Sequence, residues 1–167
     1  MSTTVKPLYA ASSALTVTNL QSLASDTNLL AGWMSAVIDN TSNLYDDWKI
    51  TGTILPGTSP TVSTTIEIWL WEILDDTPTY PDTITGSEGT VTLTSINVKT
   101  AGAFKQIASI VIDATSNRSY PFVYYVSQFF GGNPPKKWGV FIVHNTAAAL
   151  KSSGQVISIT PIQYQNV

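Results

Sequence analysis

Residues 29–54 are predicted to form two β-strands joined by a turn, and apolar and polar residues alternate along the second strand. Asn40-Thr41-Ser42-Asn43 supplies the turn, because Asn and Ser side chains can bond nearby backbone groups. In the second strand the even-numbered positions from 44 to 54 form a mostly apolar side, and the odd-numbered positions form a polar side. The stretch is therefore predicted to be a hairpin with one face against a core.

The strongest single strand signal lies in residues 64–74, where β-branched and aromatic residues dominate. A helix would scatter the charged residues around its surface, so the alternation favours a strand. One predicted face carries Ile66, Ile68, Leu70 and Leu74, and the other carries Thr65, Glu67, Trp69, Trp71 and Ile73.

Further strands are predicted between clusters of turn-forming residues. They cover residues 15–18, 91–98, 104–114, 121–127, 138–145 and 155–164. A long polar loop is predicted at residues 75–90, and one or two helical turns at residues 146–153. The chain thus contains eight or nine short strands without a repeat of fixed period.

This strand pattern predicts an all-β fold, an antiparallel β-sandwich that buries the alternating apolar faces. A jelly roll is the leading arrangement, and an immunoglobulin-like sandwich is the alternative, weakened by the missing Cys and Trp spacing. Residues 15–167 are predicted to form this single domain. Residues 1–14 show no periodicity, and we expect an extended N-terminal arm that is either disordered or paired with the sheet edge of a neighbouring subunit.

The composition narrows the classes of function. Charged residues make up only 11% of the chain, and the net charge is −3. The 8 Lys and Arg residues are scattered apart from Lys136-Lys137, so nucleic acid is not an expected partner. The absence of cysteine excludes disulfides and thiolate metal sites. Neither a signal-peptide core nor a bilayer-spanning apolar run is found, so we expect synthesis in the cytoplasm without a signal peptide and no membrane partner.

No catalytic motif stands out. His144 is the single histidine, and it lies in an apolar strand without a recognisable nucleophile motif, so we expect a structural role. Adjacent carboxylates such as Asp46-Asp47 point to opposite faces of a strand, which disfavours a paired-carboxylate glycosidase site. The loop acids Asp75, Asp76, Asp82 and Glu88 lack the spacing of a calcium loop. The sequence therefore predicts neither an enzyme nor a bound cofactor or metal.

Aromatic residues give the more informative pattern. If Ile66, Ile68 and Leu70 face the core, Trp69 and Trp71 stand together on the opposite face. That face could be covered by a second layer, form a protein interface, or act as a sugar-stacking platform. For the last role Trp69, Trp71 and Tyr80 are the candidate residues.

Three segments carry a resemblance to a known family. They are LASDTNLLAGWMSAVIDNTSNLYDDWKITGTI at residues 23–54, TTIEIWLWEILDDTPTYPDTITG at residues 64–86, and KKWGVFIVHNT at residues 136–146. In these three segments the chain resembles a family of small virion proteins from tailed bacteriophages. The proteins of that family look like capsid decoration (cement) proteins. The resemblance implies a β-sandwich on the outer shell, commonly as a trimer, that bridges major capsid subunits.

From this resemblance we expect a structural virion protein on the capsid surface that binds the major capsid protein as a homotrimer and catalyses no reaction. The alternative is a glycan-binding module of a tail fibre or surface decoration. The candidate interface residues are Val5, Pro7, Leu8, Tyr9, Trp69, Trp71 and Tyr80.

Overall fold

A computed structural model, which describes residues 4–77 and 79–166, places eleven strands in two antiparallel sheets. A short helix, α1 (Ile96–Thr100), and single turns of 3-10 helix at Thr18–Leu20 and Ser127–Phe129 complete the regular structure of these residues. The strands are β1 (Val5–Tyr9), β2 (Ser13–Ala14), β3 (Ala31–Met34), β4 (Ile38–Asp39), β5 (Asp47–Ile54), β6 (Thr65–Glu72), β7 (Gly89–Thr92), β8 (Phe104–Val111), β9 (Tyr120–Tyr125), β10 (Lys137–His144) and β11 (Val156–Asn166). The prediction of an all-β sandwich is confirmed.

The strands pair in a nested order. One sheet has five strands in the order β1-β11-β5-β9, with β2 also beside β11, and the other has six in the order β7-β3-β10-β6-β8, with β4 beside β10. Strand β1 pairs with β11, β3 with β10, β5 with β9 and β6 with β8. The β11–β5 and β10–β6 pairings then join these four ladders into the two sheets.

The main core fills the space between the sheets. Ile66, Ile68 and Leu70 of β6 are completely buried in it, as the alternation of residues 64–74 predicted. Trp48, Ile50 and Ile54 of β5 enter the same core from the five-stranded sheet. Each sheet therefore has an inner face against this core and an outer face on the opposite side.

The predicted hairpin at residues 29–54 is wrong. Strands β3 and β4 belong to the six-stranded sheet, whereas β5 belongs to the five-stranded sheet. The Asn40 side chain accepts a hydrogen bond from the Tyr45 backbone N–H (2.9 Å) and donates one to the Tyr45 carbonyl (3.0 Å). These bonds stabilise a loop that connects one sheet to the other. The side-chain bonding expected of Asn40 is therefore present, but the turn does not join two paired strands.

Two other strand predictions differ from the structure. The predicted strand at residues 15–18 is absent, and the short strand β2 precedes it. The predicted strand at residues 91–98 ends at Thr92, and α1 begins at Ile96, because the Ser95 side chain accepts a hydrogen bond from the Asn97 N–H and caps the helix.

Residues 5–9 of the predicted N-terminal arm form strand β1, which pairs with its own chain. Strand β1 runs antiparallel to the C-terminal half of β11, from Val5 opposite Asn166 to Tyr9 opposite Ile162. The alternatives of disorder or pairing with a neighbouring subunit are therefore wrong for residues 5–9, while residues 1–3 lie outside the described residues. The pairing brings both ends of the described chain to one edge of the five-stranded sheet.

Candidate functional site

The outer face of the five-stranded sheet is open. Cross-strand partners share a face, so the register defines this surface from four strands. It carries Val5, Pro7 and Tyr9 of β1, Val156, Ser158, Thr160, Ile162 and Tyr164 of β11, Asp47, Lys49, Thr51 and Thr53 of β5, and Pro121, Val123 and Tyr125 of β9. We call this surface the open face. Apart from Asp47 and Ile162, these side chains are exposed or half-buried.

Two tyrosines bridge the open face near one end. Tyr9 extends from the edge strand β1 and Tyr125 from the opposite edge strand β9, and their hydroxyl oxygens lie 3.4 Å apart. The Tyr125 hydroxyl raises the pKa of Tyr9 through this hydrogen bond. Asp47 and Ile162 lie on the same part of the face and are the two residues of the face that are buried. The Asp47 carboxylate accepts hydrogen bonds from the backbone N–H groups of Trp48 and Ser127, so its charge is not available to a partner.

Strand β1 and residues 163–166 of β11 form a two-stranded extension, which we call the terminal ribbon. Beyond Ile162 this part of β11 has no pairing with β5. Every residue of β1 is exposed, and Val5, Leu8, Tyr9 and Tyr164 are among the large apolar side chains that remain in solvent. Leu8 lies on the side of the ribbon opposite to Tyr9, so both sides of the ribbon present apolar surface.

Both free edges of the five-stranded sheet carry a proline. The Ala10 N–H donates to the Pro161 carbonyl (2.9 Å), so the alternating backbone groups of β1 point the nitrogen of Pro7 away from β11. The Val126 N–H donates to the Trp48 carbonyl (2.9 Å), and the same alternation points the nitrogen of Pro121 outward from β9. A proline nitrogen has no hydrogen to donate, so both edges resist the addition of another strand.

The outer face of the six-stranded sheet is covered. Trp71 is completely buried in a second apolar cluster with Met34, Phe104 and Phe141, and the ring of Tyr80 packs edge-on against it at 5.8 Å. Trp69 is partly buried against this cluster. Of the three alternatives for this face, the structure shows the covered one, because Ile84 and Leu93 from the connection between β6 and β8 pack in the same cluster as Trp71.

A buried ion pair holds part of this cover in place. The Lys99 ammonium of α1 donates to the Glu67 carboxylate at 2.8 Å and lies 5.0 Å from the centre of the Trp69 ring. The Trp69 indole N–H donates to the same Glu67 oxygen at 2.9 Å. Lys99 is completely buried, so the pair fixes the helix to the sheet and leaves no charged group for chemistry. Sequence reasoning missed Lys99, since a buried lysine has no local signal.

His144 has the structural role expected from the sequence. Its Nε2 donates to the Leu23 carbonyl at 3.1 Å, and its Nδ1 lies 2.9 Å from the Thr146 hydroxyl. Burial lowers the pKa of His144, while the Leu23 carbonyl and the charge of Asp26 oppose this shift. The ring is buried and both of its nitrogens are occupied, so it does not face a substrate.

The acids of the 75–90 loop act separately. Asp82 accepts hydrogen bonds from Thr94, and Asp76 pairs with Lys136 at 2.6 Å. Glu88 accepts from Asn19 and from the Trp33 indole; its partial burial opposes ionisation, but these hydrogen bonds hold its pKa below the ordinary value. Within residues 4–77 and 79–166, no group of three or more metal-ligating side chains is present.

An open groove of about 550 Å³ lies between the Thr18–Leu20 turn and strands β3 and β7. Its lining consists of hydroxyl, amide and small apolar side chains, including Asn19, Gln21, Thr90 and Thr92, with no aromatic ring and no charged group. It therefore offers neither a stacking platform for a sugar nor a charge to bind an ion.

No family model matches this chain, and no curated protein or solved structure matches it significantly. In the part of the chain that the structure describes, no helix has the length and apolar character to cross a bilayer.

Proposed function

We propose that this chain is a structural virion protein that binds the outside of a tailed-bacteriophage capsid as a homo-oligomer and stabilises the shell without catalysing a reaction. The resemblance of residues 23–54, 64–86 and 136–146 to small phage virion proteins supports the assignment. Under this proposal the major capsid protein is the partner, and the trimer that the resemblance implies is the expected oligomer.

We also propose that the β-sandwich is a jelly roll. A jelly roll can be described as a long antiparallel hairpin rolled into two sheets, and it is common among viral capsid domains. The nested pairing of β1 with β11, β3 with β10, β5 with β9 and β6 with β8 supports this arrangement.

We propose that the terminal ribbon is the element that binds the capsid. An isolated two-stranded ribbon is marginally stable in water, because neither of its faces is buried. This ribbon extends past β5 and exposes Leu8 on one side and Val5 and Tyr164 on the other. Such an element gains stability when a partner covers it, which suits a protein that binds an assembled shell.

Stabilisation of the shell would follow from mass action. A ligand that binds the assembled lattice more tightly than free capsid subunits shifts the equilibrium toward the lattice. Repetition of the contact over a symmetric particle, with several ribbons for each oligomer, multiplies a modest affinity into a strong one.

The test is an add-back experiment with capsids that lack this protein. Leu8→Asp places a charge on the exposed side of the ribbon and should reduce the number of bound copies at least about tenfold, because a desolvated charge opposes docking. Val111→Asp is the matched control, since Val111 is 64% exposed on the edge strand β8, and it should bind like the wild type. Equal occupancy by the Leu8→Asp variant would contradict the role of the ribbon.

The alternative expected from the sequence, a glycan-binding module, needs an exposed ring platform. Trp71 is buried, and the Tyr80 ring packs edge-on against it, so these two residues do not form such a platform. A glycan array probed with the wild-type chain distinguishes the two functions, because the virion proposal predicts no specific hit.

A further inference from the structure

We propose that the open face of the five-stranded sheet is the surface through which copies of this chain associate with one another. The inference deepens the proposed function and rests on it for the expectation of a homo-oligomer. It assigns the copy-to-copy contact to the open face, including the side of the terminal ribbon that carries Val5 and Tyr9, and leaves the opposite side of the ribbon, which carries Leu8, for the capsid.

The chemistry of the open face suits contact with a second copy. Its exposed apolar side chains include Val123, Val156 and Tyr125, and its polar groups are mainly the hydroxyls of Thr51, Ser158 and similar residues. A hydroxyl is both donor and acceptor, so it can pair with the same group on another copy. Around the symmetry axis of a homo-oligomer, the same residues of neighbouring copies approach one another, so a charged patch at that place would repel its own copies.

Charge on this face is almost absent. Among the residues that define it, Asp47 and Lys49 are the two charged side chains, and Asp47 is buried and hydrogen-bonded to backbone N–H groups. Lys49 is half-buried beside Tyr125 in the cross-strand register. The long side chain of a lysine can carry its ammonium to the rim of an interface, where water still solvates it.

The geometry of the sheet directs association to the face and away from the edges. Pro7 and Pro121 each replace one outward-facing N–H of an edge strand with a nitrogen that cannot donate, so edge-to-edge pairing would lose a ladder hydrogen bond at each of these positions. Packing one face against another needs no backbone hydrogen bonds and is the way that the inner faces of this sandwich already pack.

The open face is large enough to form a substantial part of a specific contact. Its four strands, spaced about 4.8 Å apart and rising about 3.4 Å per residue, give a projected area of roughly 500 Å². A stable complex buries about 800 Å² of accessible surface on each partner, and side chains that stand on a sheet raise the accessible area above the projected one.

The test is the mass of the intact protein in solution, measured by sedimentation over a range of concentrations. The wild type should sediment as a multiple of the 18.0 kDa chain. The double variant Val123→Lys/Val156→Lys places like charges on two positions that are 55% and 50% exposed, and it should weaken association at least about 100-fold. Val111→Lys introduces the same charge at an exposed valine of the other sheet and should leave the mass unchanged.

A chemical measurement keeps the inference testable if the double variant is poorly folded. The chain has no cysteine, so Val123→Cys introduces a single thiol on the open face. A short bismaleimide should join two chains through this thiol, and the Val111→Cys control should give no comparable product.

Two results would overturn the inference. One is a wild-type chain that stays monomeric at every concentration, and the other is an oligomer that survives both lysines with no cross-link through Val123→Cys. The proposed function fails independently, because the Leu8→Asp variant should keep the wild-type mass while it loses capsid binding. An oligomer that forms through the open face but never binds a capsid would support this inference and contradict the function.

Discussion

The two sheets of this protein share one core but differ on their outer faces. On the six-stranded sheet, Trp71, Phe104, Phe141 and Val143 are buried in a second apolar cluster. On the five-stranded sheet, the equivalent positions carry Thr, Ser, Val and Tyr side chains that remain exposed or half-buried. One face is therefore part of the folded monomer, and the other is available for a partner.

The difference arises from one long connection. Residues 73–103 link β6 to β8 and supply Tyr80, Ile84, Leu93 and Val98 to the covering layer. No comparable connection crosses the open face within the described residues. The two sheets have similar numbers of strands. Their outer faces differ because this long connection covers only the six-stranded sheet.

The largest expected contrast comes from truncating one aromatic residue on each outer face. Trp71→Ala should reduce the free energy of unfolding by about 3–5 kcal/mol, because it leaves a cavity in the second cluster. Tyr125→Ala removes an exposed ring and should change it by less than about 1 kcal/mol. Urea unfolding at a concentration where the chain is monomeric measures the free energy of unfolding of both variants. Equal losses would contradict the difference between the covered and the open face.

A smaller effect is expected from the ion pair beneath α1. Glu67→Leu leaves the buried Lys99 ammonium without its carboxylate and should lower the free energy of unfolding by about 3 kcal/mol. The double variant Glu67→Leu/Lys99→Met removes both charges and should lie within about 1 kcal/mol of the wild type. The same urea titrations test this, and additive losses in the double variant would show that the two side chains act independently.

The smallest effect is a pH dependence located in β10 of the covered sheet. Because burial lowers the pKa of His144, the unfolded chain takes up its proton near the ordinary value of 6.5 while the folded chain does not. The free energy of unfolding should therefore fall as pH decreases below 6.5, by at most about 1.4 kcal/mol per pH unit, until the folded pKa is reached.

The variant His144→Gln separates this effect from other titrations. It keeps a side-chain amide that can donate to the Leu23 carbonyl, and it should flatten the stability profile below pH 6.5. Glu72 acts in the opposite direction, since burial raises its pKa, but its contribution is common to both proteins and cancels in their difference. An unchanged slope in the variant would assign the pH dependence to another group.

The sequence predicted the strands whose pattern is set by local alternation. Residues 64–74 were predicted as a strand with Ile66, Ile68, Leu70 and Leu74 on one face. The structure confirms the strand and the first three residues, but β6 ends at Glu72 and Leu74 is exposed. The hairpin at residues 29–54 was not predictable in the same way. Asn40 forms a real turn, but the sheet that each flanking strand joins depends on β10 and β11, which lie about 100 residues away in the chain.

The candidate interface residues named from the sequence lie in different environments. Val5, Pro7, Leu8 and Tyr9 lie on an exposed ribbon, whereas Trp71 is buried under residues 73–103 and the ring of Tyr80 packs against it. The exposed valines of the open face, Val123 and Val156, were missed because a valine on the outer side of a strand has the same local pattern as one in the core.

What the sequence determined by itself was the class of fold and the absence of a catalytic motif, because strand periodicity and turn chemistry act over a few residues. What the tertiary structure decided was the identity of the exposed surfaces. Exposure depends on which distant segments return to cover a face, as residues 73–103 do for Trp71, and on which strand pairs with the arm, as β11 does for β1. These are long-range contacts, and no local pattern in the sequence encodes them.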